Sequence, residues 1–217
     1  PPRWAAPDYP VAALMKLPDL FALSQTSEAG RVEVGSYALS APAIETETAY
    51  VGRMSLAIGV DEWPDRDIAV VAVNIADGQP ELLRRECGTT IAAAVAASCC
   101  LPGVSPPVSI RGRRYMDGGT RSAANADLAA GFDSILMLSF HPPGRPGERM
   151  QARAAAQSQA LIEAGARVCV ISPDEASLAA IGPRTMDVVR RPDVARAALA
   201  QGATASDAVA RSRIKIP

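Results

Sequence analysis

The segment Ala94–Gly119, AVAASCCLPGVSPPVSIRGRRYMDGG, holds the residues whose types and spacing can do chemistry. Asp117 closes the run Arg113-Arg114-Tyr115-Met116 and is followed by Gly118 and Gly119. A carboxylate at the end of a strand projects from the edge of a sheet, where α/β sites form, and can serve as a general base. Two glycines behind it permit positive φ and close approach of another loop. The same tripeptide is also an ordinary turn, and spacing alone leaves both readings open. Cys99 and Cys100 are rival nucleophiles, but they lack a nearby His and a strand–turn–helix setting. With Cys87 and Cys169 they read as buried or half-buried thiols of a reducing compartment. There is no Cys-x-x-Cys pair and only one His, so neither a metal site nor any cofactor is expected.

Other candidates carry two readings each. Arg111, Arg113, Arg114 and Arg121 can meet a lipid phosphate or form a solvated, ion-paired hairpin face. Leu14, Met15, Leu17, Leu20, Phe21 and Leu23 can line an acyl pocket, touch a membrane or pack in a core. His141, in His-Pro-Pro-Gly, would serve a triad only where a nucleophile exists.

These residues need a scaffold, and the apolar pattern supplies one. Short helices broken by proline are expected over 1–30, the first stopped near Pro18, then a polar turn ending at Gly30. Apolar residues at 44, 51, 54 and 58 predict one face of a helix. Ile68–Ile75 is β-branched and apolar, as a buried central strand would be, and Asp77-Gly78 turns it back through 80–85. Thr89 or Thr90 can cap a helix through Ala97. Val108–Ile110 and Arg113–Met116 form a hairpin around Arg111-Gly112. Downstream, a helix over 123–131, strands over 134–140 and 167–171, and a helix over 149–164 alternate. Ser172-Pro173-Asp174-Glu175 opens another helix, with the proline in its first turn. Helices over 193–200 and 205–211 are separated by Gly202. Such alternation predicts an α/β sandwich with a mainly parallel sheet.

Composition bounds the function. The 217 residues are 48% hydrophobic and 21% charged, an ordinary globular balance. A net charge of −1 speaks against nucleic acid as a partner. The longest apolar runs are too short to span a bilayer, and no signal peptide is visible, so a cytoplasmic, at most membrane-peripheral, location is expected. The chain opens Pro-Pro without Met, which suggests the remainder of a longer protein.

The wider segment resembles the patatin-like phospholipases, and bacterial members of that family in particular. Their pattern runs A-x-x-A-S-x-x-x-P-x-x-x-P-P-V, a short hairpin, then D-G-[GA]. Ala94, Ala97, Ser98, Pro102, Pro106, Pro107, Val108 and Asp117-Gly118-Gly119 fall in that order. Similarity is specific over about 94–140 and extends more loosely over 66–217. The resemblance implies a three-layer α/β/α sandwich around a mainly parallel sheet. Residues 1–217 would form one such domain without its N-terminal part. Within it, 1–65 would be a variable, helical, lid-like region and 66–217 the core.

It also implies a serine acyl hydrolase acting on phospholipid or other carboxylic esters through a Ser–Asp dyad. Asp117 maps to the base, and Gly118 and Gly119 complete its motif. The nucleophile is expected outside this chain, because no Gly-x-Ser-x-Gly and no Gly-rich oxyanion loop occur in it. Ser98 belongs to the helix-end part of the pattern and reads as structural. The alternative is a noncatalytic lipid-binding or regulatory domain of the same fold. Expected partners are a lipid or other acyl ester, a peripheral membrane contact, and either self-association or a chain carrying the N-terminal part. The last follows from strands that are apolar on both faces.

Overall fold

A computed structural model describes residues 9–141, 145–183, 185 and 187–211. The chain forms two compact units, Pro1–Ser122 and Ala123–Pro217.

The first unit opens with three helices, α1 (Val11–Ser24), α2 (Glu28–Ser40) and α3 (Glu47–Ile58). Ser27 Oγ accepts from Gly30 N at 3.0 Å and Thr46 Oγ1 from Ala49 N at 3.2 Å, so each of the last two begins on a side-chain cap. Strands β1 (Val70–Asn74) and β2 (Pro80–Leu83) follow, then α4 (Ile91–Cys99), β3 (Val108–Ile110) and β4 (Arg113–Asp117). Thr90 is the N-cap of α4, its Oγ1 accepting from Ala93 N at 3.1 Å.

The four strands pair in the order β2-β1-β4-β3, every pair antiparallel. Short connections explain two of the three pairs, β1–β2 and β3–β4. Gly78, at φ 70°, closes the turn between β1 and β2. Arg111 and Gly112, both at positive φ, form the two-residue turn between β3 and β4. Turns this short join only antiparallel neighbours. Register sets Ala72 opposite Asp117 and Val73 opposite Met116. Ala72, Val73 and Asn74 are buried in succession, as in a strand covered on both faces. Ala94, Ala96 and Ala97 of α4 are wholly buried in the same core as Val34, Tyr50 and Met116. Side chains this small let the helix axis come close to the sheet.

The second unit begins with a 3-10 turn, Ala126–Ala129, where a longer helix over 123–131 is expected from the pattern. Strands β5 (Ser134–Leu138) and β6 (Arg167–Ile171) are parallel, joined by α5 (Arg145–Glu163) as their crossover. Ile135 and Met137 pack with Ala154 and Leu161 of α5. Helices α6 (Glu175–Ile181) and α7 (Arg191–Arg211) complete the unit. Asp174 Oδ1 accepts from Ser177 N at 2.8 Å, which places Pro173 before the cap of α6, not in its first turn.

Several expectations are corrected. Among the described residues the larger sheet is antiparallel and only the β5–β6 pair is parallel, so a mainly parallel sheet is not what is seen. Helix α1 runs through Pro18, which costs it one backbone bond, and α7 runs unbroken through Gly202. Residues 28–40 are helical although their apolar pattern is weak. Gly35 lets α2 approach Ile75, where a Cβ would stand 2.7 Å from a side-chain methyl. No helix among the described residues is long and apolar enough to cross a membrane.

Met116 is the largest fully buried side chain of the first unit. Met116→Ala should destabilise the protein by about 2–5 kcal/mol, read as a lower urea midpoint at unchanged slope.

Candidate active site

Strand β4 ends at Asp117, and the chain passes at once into a 3-10 turn, Gly118–Thr120. Three bonds hold this junction. Asp117 N donates to Cys100 O at 3.1 Å, tying the strand end to the end of α4. Gly119 N donates to Asp117 Oδ1 at 2.7 Å, and Thr120 Oγ1 donates to Asp117 O at 2.6 Å.

The glycines serve close approach. Neither is at positive φ. A Cβ on Gly118 would lie 2.4 Å from the backbone oxygen of Val71 in β1. One on Gly119 would lie 2.9 Å from Asp117 Oδ1 and 3.1 Å from the ring of Phe21. Helix α1 seals the turn from the other side. Gln25 Nε2 donates to Gly119 O at 3.0 Å.

Asp117 is half-buried. Loss of solvent pushes its carboxyl from 3.8 up to about 6, and the Gly119 N–H opposes part of that rise. Among the described residues no donor meets its second oxygen and no cation pairs with it. The surrounding thiols feel the same environment. Cys100 is buried, its Sγ donates to Ala97 O and Tyr115 O, and burial pushes it well above the thiol range. Cys99 lies at the surface, yet the atoms packed around its sulfur and then the Asp117 charge push it up to about 11. A thiol so poorly ionised near neutrality is no nucleophile. Tyr50, buried beside this group and bonded to Ser105, is raised chiefly by desolvation.

The other candidates fall elsewhere. Ser98 sits half-buried in the last turn of α4. Arg113 pairs with Glu81 at 2.6 Å, Arg114 donates to Pro107 O at 2.9 Å, and Arg111 donates to Glu86 O at 3.1 Å. Arg121 is engaged as well. These contacts favour the ion-paired hairpin face over a phosphate site. His141 lies in the second unit, with Nδ1 buried and without a hydrogen-bond partner among the described residues. Phe21, singled out as an apolar candidate, does reach the Asp117 turn; Gln25 does too, and no sequence signal marks it.

A carboxylate with one oxygen anchored, one uncommitted and a raised affinity for protons is equipped as a general base. The sequence profile of the patatin-like phospholipases matches residues 21–130, just over half of the chain. This span takes in α1 from Phe21 onward, the whole antiparallel sheet and Asp117. The chain therefore belongs to the patatin-like phospholipase family, whose members are lipid acyl hydrolases. No curated protein matches it significantly.

The raised carboxyl has a stability consequence. The native state holds the proton more tightly than the unfolded chain, so ionising Asp117 weakens the fold. That penalty is absent below 3.8, grows between 3.8 and about 6, and is complete above 6. Asp117→Asn keeps an oxygen for the Gly119 N–H and removes the charge. It should stabilise the protein near neutral pH by at most about 2–3 kcal/mol and have no such effect near pH 3.5. Urea midpoints of both proteins across this range check the prediction.

Proposed function

We propose that the protein takes part in carboxylic ester hydrolysis on lipids, with Asp117 as the base of a Ser–Asp dyad. The observation that carries this reading is the Asp117 carboxylate itself, desolvated, anchored through one oxygen only and set within the span that matches the family. In this mechanism Asp117 removes the proton of a serine hydroxyl as its oxygen attacks the acyl carbon. The tetrahedral intermediate collapses, the ester C–O bond breaks, and the leaving alkoxide takes the proton back from Asp117. Water then repeats the sequence against the acyl-enzyme, releasing the acid and restoring the serine. A carboxyl near 6 is mostly ionised at neutral pH, yet more basic than an ordinary aspartate.

The serine is proposed to come from outside residues 1–217, since none of their serines lies in Gly-x-Ser-x-Gly. Both compact units are then parts of one patatin-like α/β/α domain. Phospholipid is the favoured substrate class, met at a membrane surface.

The test uses a polypeptide carrying these residues together with a Gly-x-Ser-x-Gly segment. It is expected to hydrolyse p-nitrophenyl esters and to be labelled by a fluorophosphonate, while residues 1–217 alone are not. Asp117→Asn should lower turnover by about 10²–10⁴-fold. The acidic limb of kcat/KM should fall near pH 6, with activity lost as the base is protonated below it. Near wild-type turnover in Asp117→Asn sinks the assignment, as does stoichiometric labelling of a serine within 1–217.

A further inference from the structure

The two glycines after Asp117 create a problem that helix α1 solves. The Gly119 N–H must stay aimed at Asp117 Oδ1 if one carboxylate oxygen is to remain anchored and the other uncommitted. Glycine is the residue least able to hold such an aim by itself, because its φ and ψ are the freest. Val71 O limits the space at Gly118, and Thr120 Oγ1 ties back to Asp117 O, but neither holds the Gly119 carbonyl. Gln25 does, its Nε2 donating to Gly119 O at 3.0 Å across 94 residues of sequence. Gly119 is thus gripped at both ends, its N–H by the carboxylate and its C=O by α1.

Gln25 is itself firmly placed. It is the C-cap residue of α1, and its backbone N–H donates to Phe21 O at 3.1 Å. Ser24 beside it is wholly buried, and Leu20 packs against the core of the first unit. Phe21, four residues back, lies on the same face of the helix. Its ring and Asp117 Oδ1 stand 3.1 and 2.9 Å from one point, the place a Gly119 Cβ would take. The ring therefore helps to keep water from the anchored oxygen. Tyr50 of α3 and Cys99 and Cys100 of α4 are the titratable groups that feel the Asp117 charge. All three are raised, so they stay neutral through the range in which Asp117 titrates. Among the described residues no charge from α1 or β1 acts on the carboxyl; loss of solvent and the Gly119 N–H do.

We infer that Gln25 and Phe21 are positioning residues for Asp117: Gln25 holds the Gly119 N–H on one carboxylate oxygen, and Phe21 keeps that oxygen dry, so that the other oxygen alone takes the proton. The two act in opposite directions. An N–H on the carboxylate favours its ionised form, and exclusion of water disfavours it. Loss of the Gln25 donor frees the Gly119 peptide and raises the carboxyl further, whereas loss of the ring lets water in and lowers it. Residues that served stability alone would move it neither way. The value of this control for catalysis rests on Asp117 acting as the base; the control itself does not.

The test follows the Asp117 carboxyl carbon by carbon-13 NMR in the 217-residue chain, its signal assigned by its absence in Asp117→Asn. Gln25→Met keeps length and bulk without the donor and should raise the titration midpoint by about 0.5–1 in pH. Gln25→Asn keeps the amide but is one methylene too short to reach, suits a helix C-terminus, and should shift the midpoint the same way. Phe21→Ala should lower it by about the same amount. Urea unfolding shows that each variant is folded. In the polypeptide that also carries a Gly-x-Ser-x-Gly segment, Gln25→Met should lower kcat by about three- to tenfold at unchanged KM, and its acidic limb should move up with the NMR midpoint. An unmoved midpoint in the folded Gln25 variants overturns the inference, as does a shift of Phe21→Ala in the same direction as theirs. Full turnover in Asp117→Asn, with the midpoints shifted as expected, would leave the positioning intact and overturn only the reading of Asp117 as the base.

Discussion

The backbone oxygen of Val71 stands where a side chain at position 118 would have to be. That contact lets the turn after β4 lie flat against β1 instead of swinging away. From it follow the cap of Gly119 N on the Asp117 carboxylate and the seat of Phe21 and Gln25 on the turn. The carboxylate's position is thus over-determined. The strand register fixes its Cα opposite Ala72, the Cys100 carbonyl holds its N–H, and its own neighbour holds one oxygen. The proposed proton transfer would benefit from such rigidity, because the geometry is set before substrate arrives.

Rigidity alone would leave an ordinary aspartate. What changes its chemistry is the absence of a counter-charge among the described residues around it. Four arginines occur within 111–121, close in sequence to a carboxylate, and a salt bridge would be the simplest outcome. Instead the β3–β4 hairpin carries three of them away. Arg113 is held by Glu81 on β2, Arg114 by Pro107 O, and Arg111 by Glu86 O. The carboxylate is left with a single backbone N–H against the loss of solvent, and its proton affinity rises. The fold accepts an uncompensated charge at this strand end, and the proposed role of Asp117 as a base gives that cost a use.

Most of this was legible wherever a local rule decides the structure. Asp77-Gly78 and Arg111-Gly112 announce chain reversals, Thr90 announces a helix start, and the 26-residue string from Ala94 to Gly119 carries the resemblance that the family match bears out. It was illegible wherever packing overrides propensity. Pro18 and Gly202 should end helices, yet α1 and α7 continue because each has a face held by neighbours. Helix α2 has two glycines and little periodicity, and close approach gives each a purpose: a Cβ at Gly35 would stand 2.7 Å from Ile75 and one at Gly30 2.5 Å from Leu23 O. The strand direction departs from the pattern for a related reason. Alternation of helices and strands suggests crossovers, but β1–β2 and β3–β4 are joined by short turns, α4 leads from one edge strand, β2, to the other, β3, and only α5 links parallel neighbours.

The second unit shows what such a crossover leaves behind. A two-stranded parallel pair has two faces, and α5 fills one with Ala154 and Leu161 against Ile135 and Met137. The opposite face presents Leu136 and Leu138 to α7, whose Ala198, Gly202 and Ala205 are too small to reach them. A helix meant only to cover a sheet would carry leucine or isoleucine at these positions, as cores packed to native density do. Glycine there weakens the helix and gains no burial. The combination costs stability twice over, in the helix and in the unfilled space.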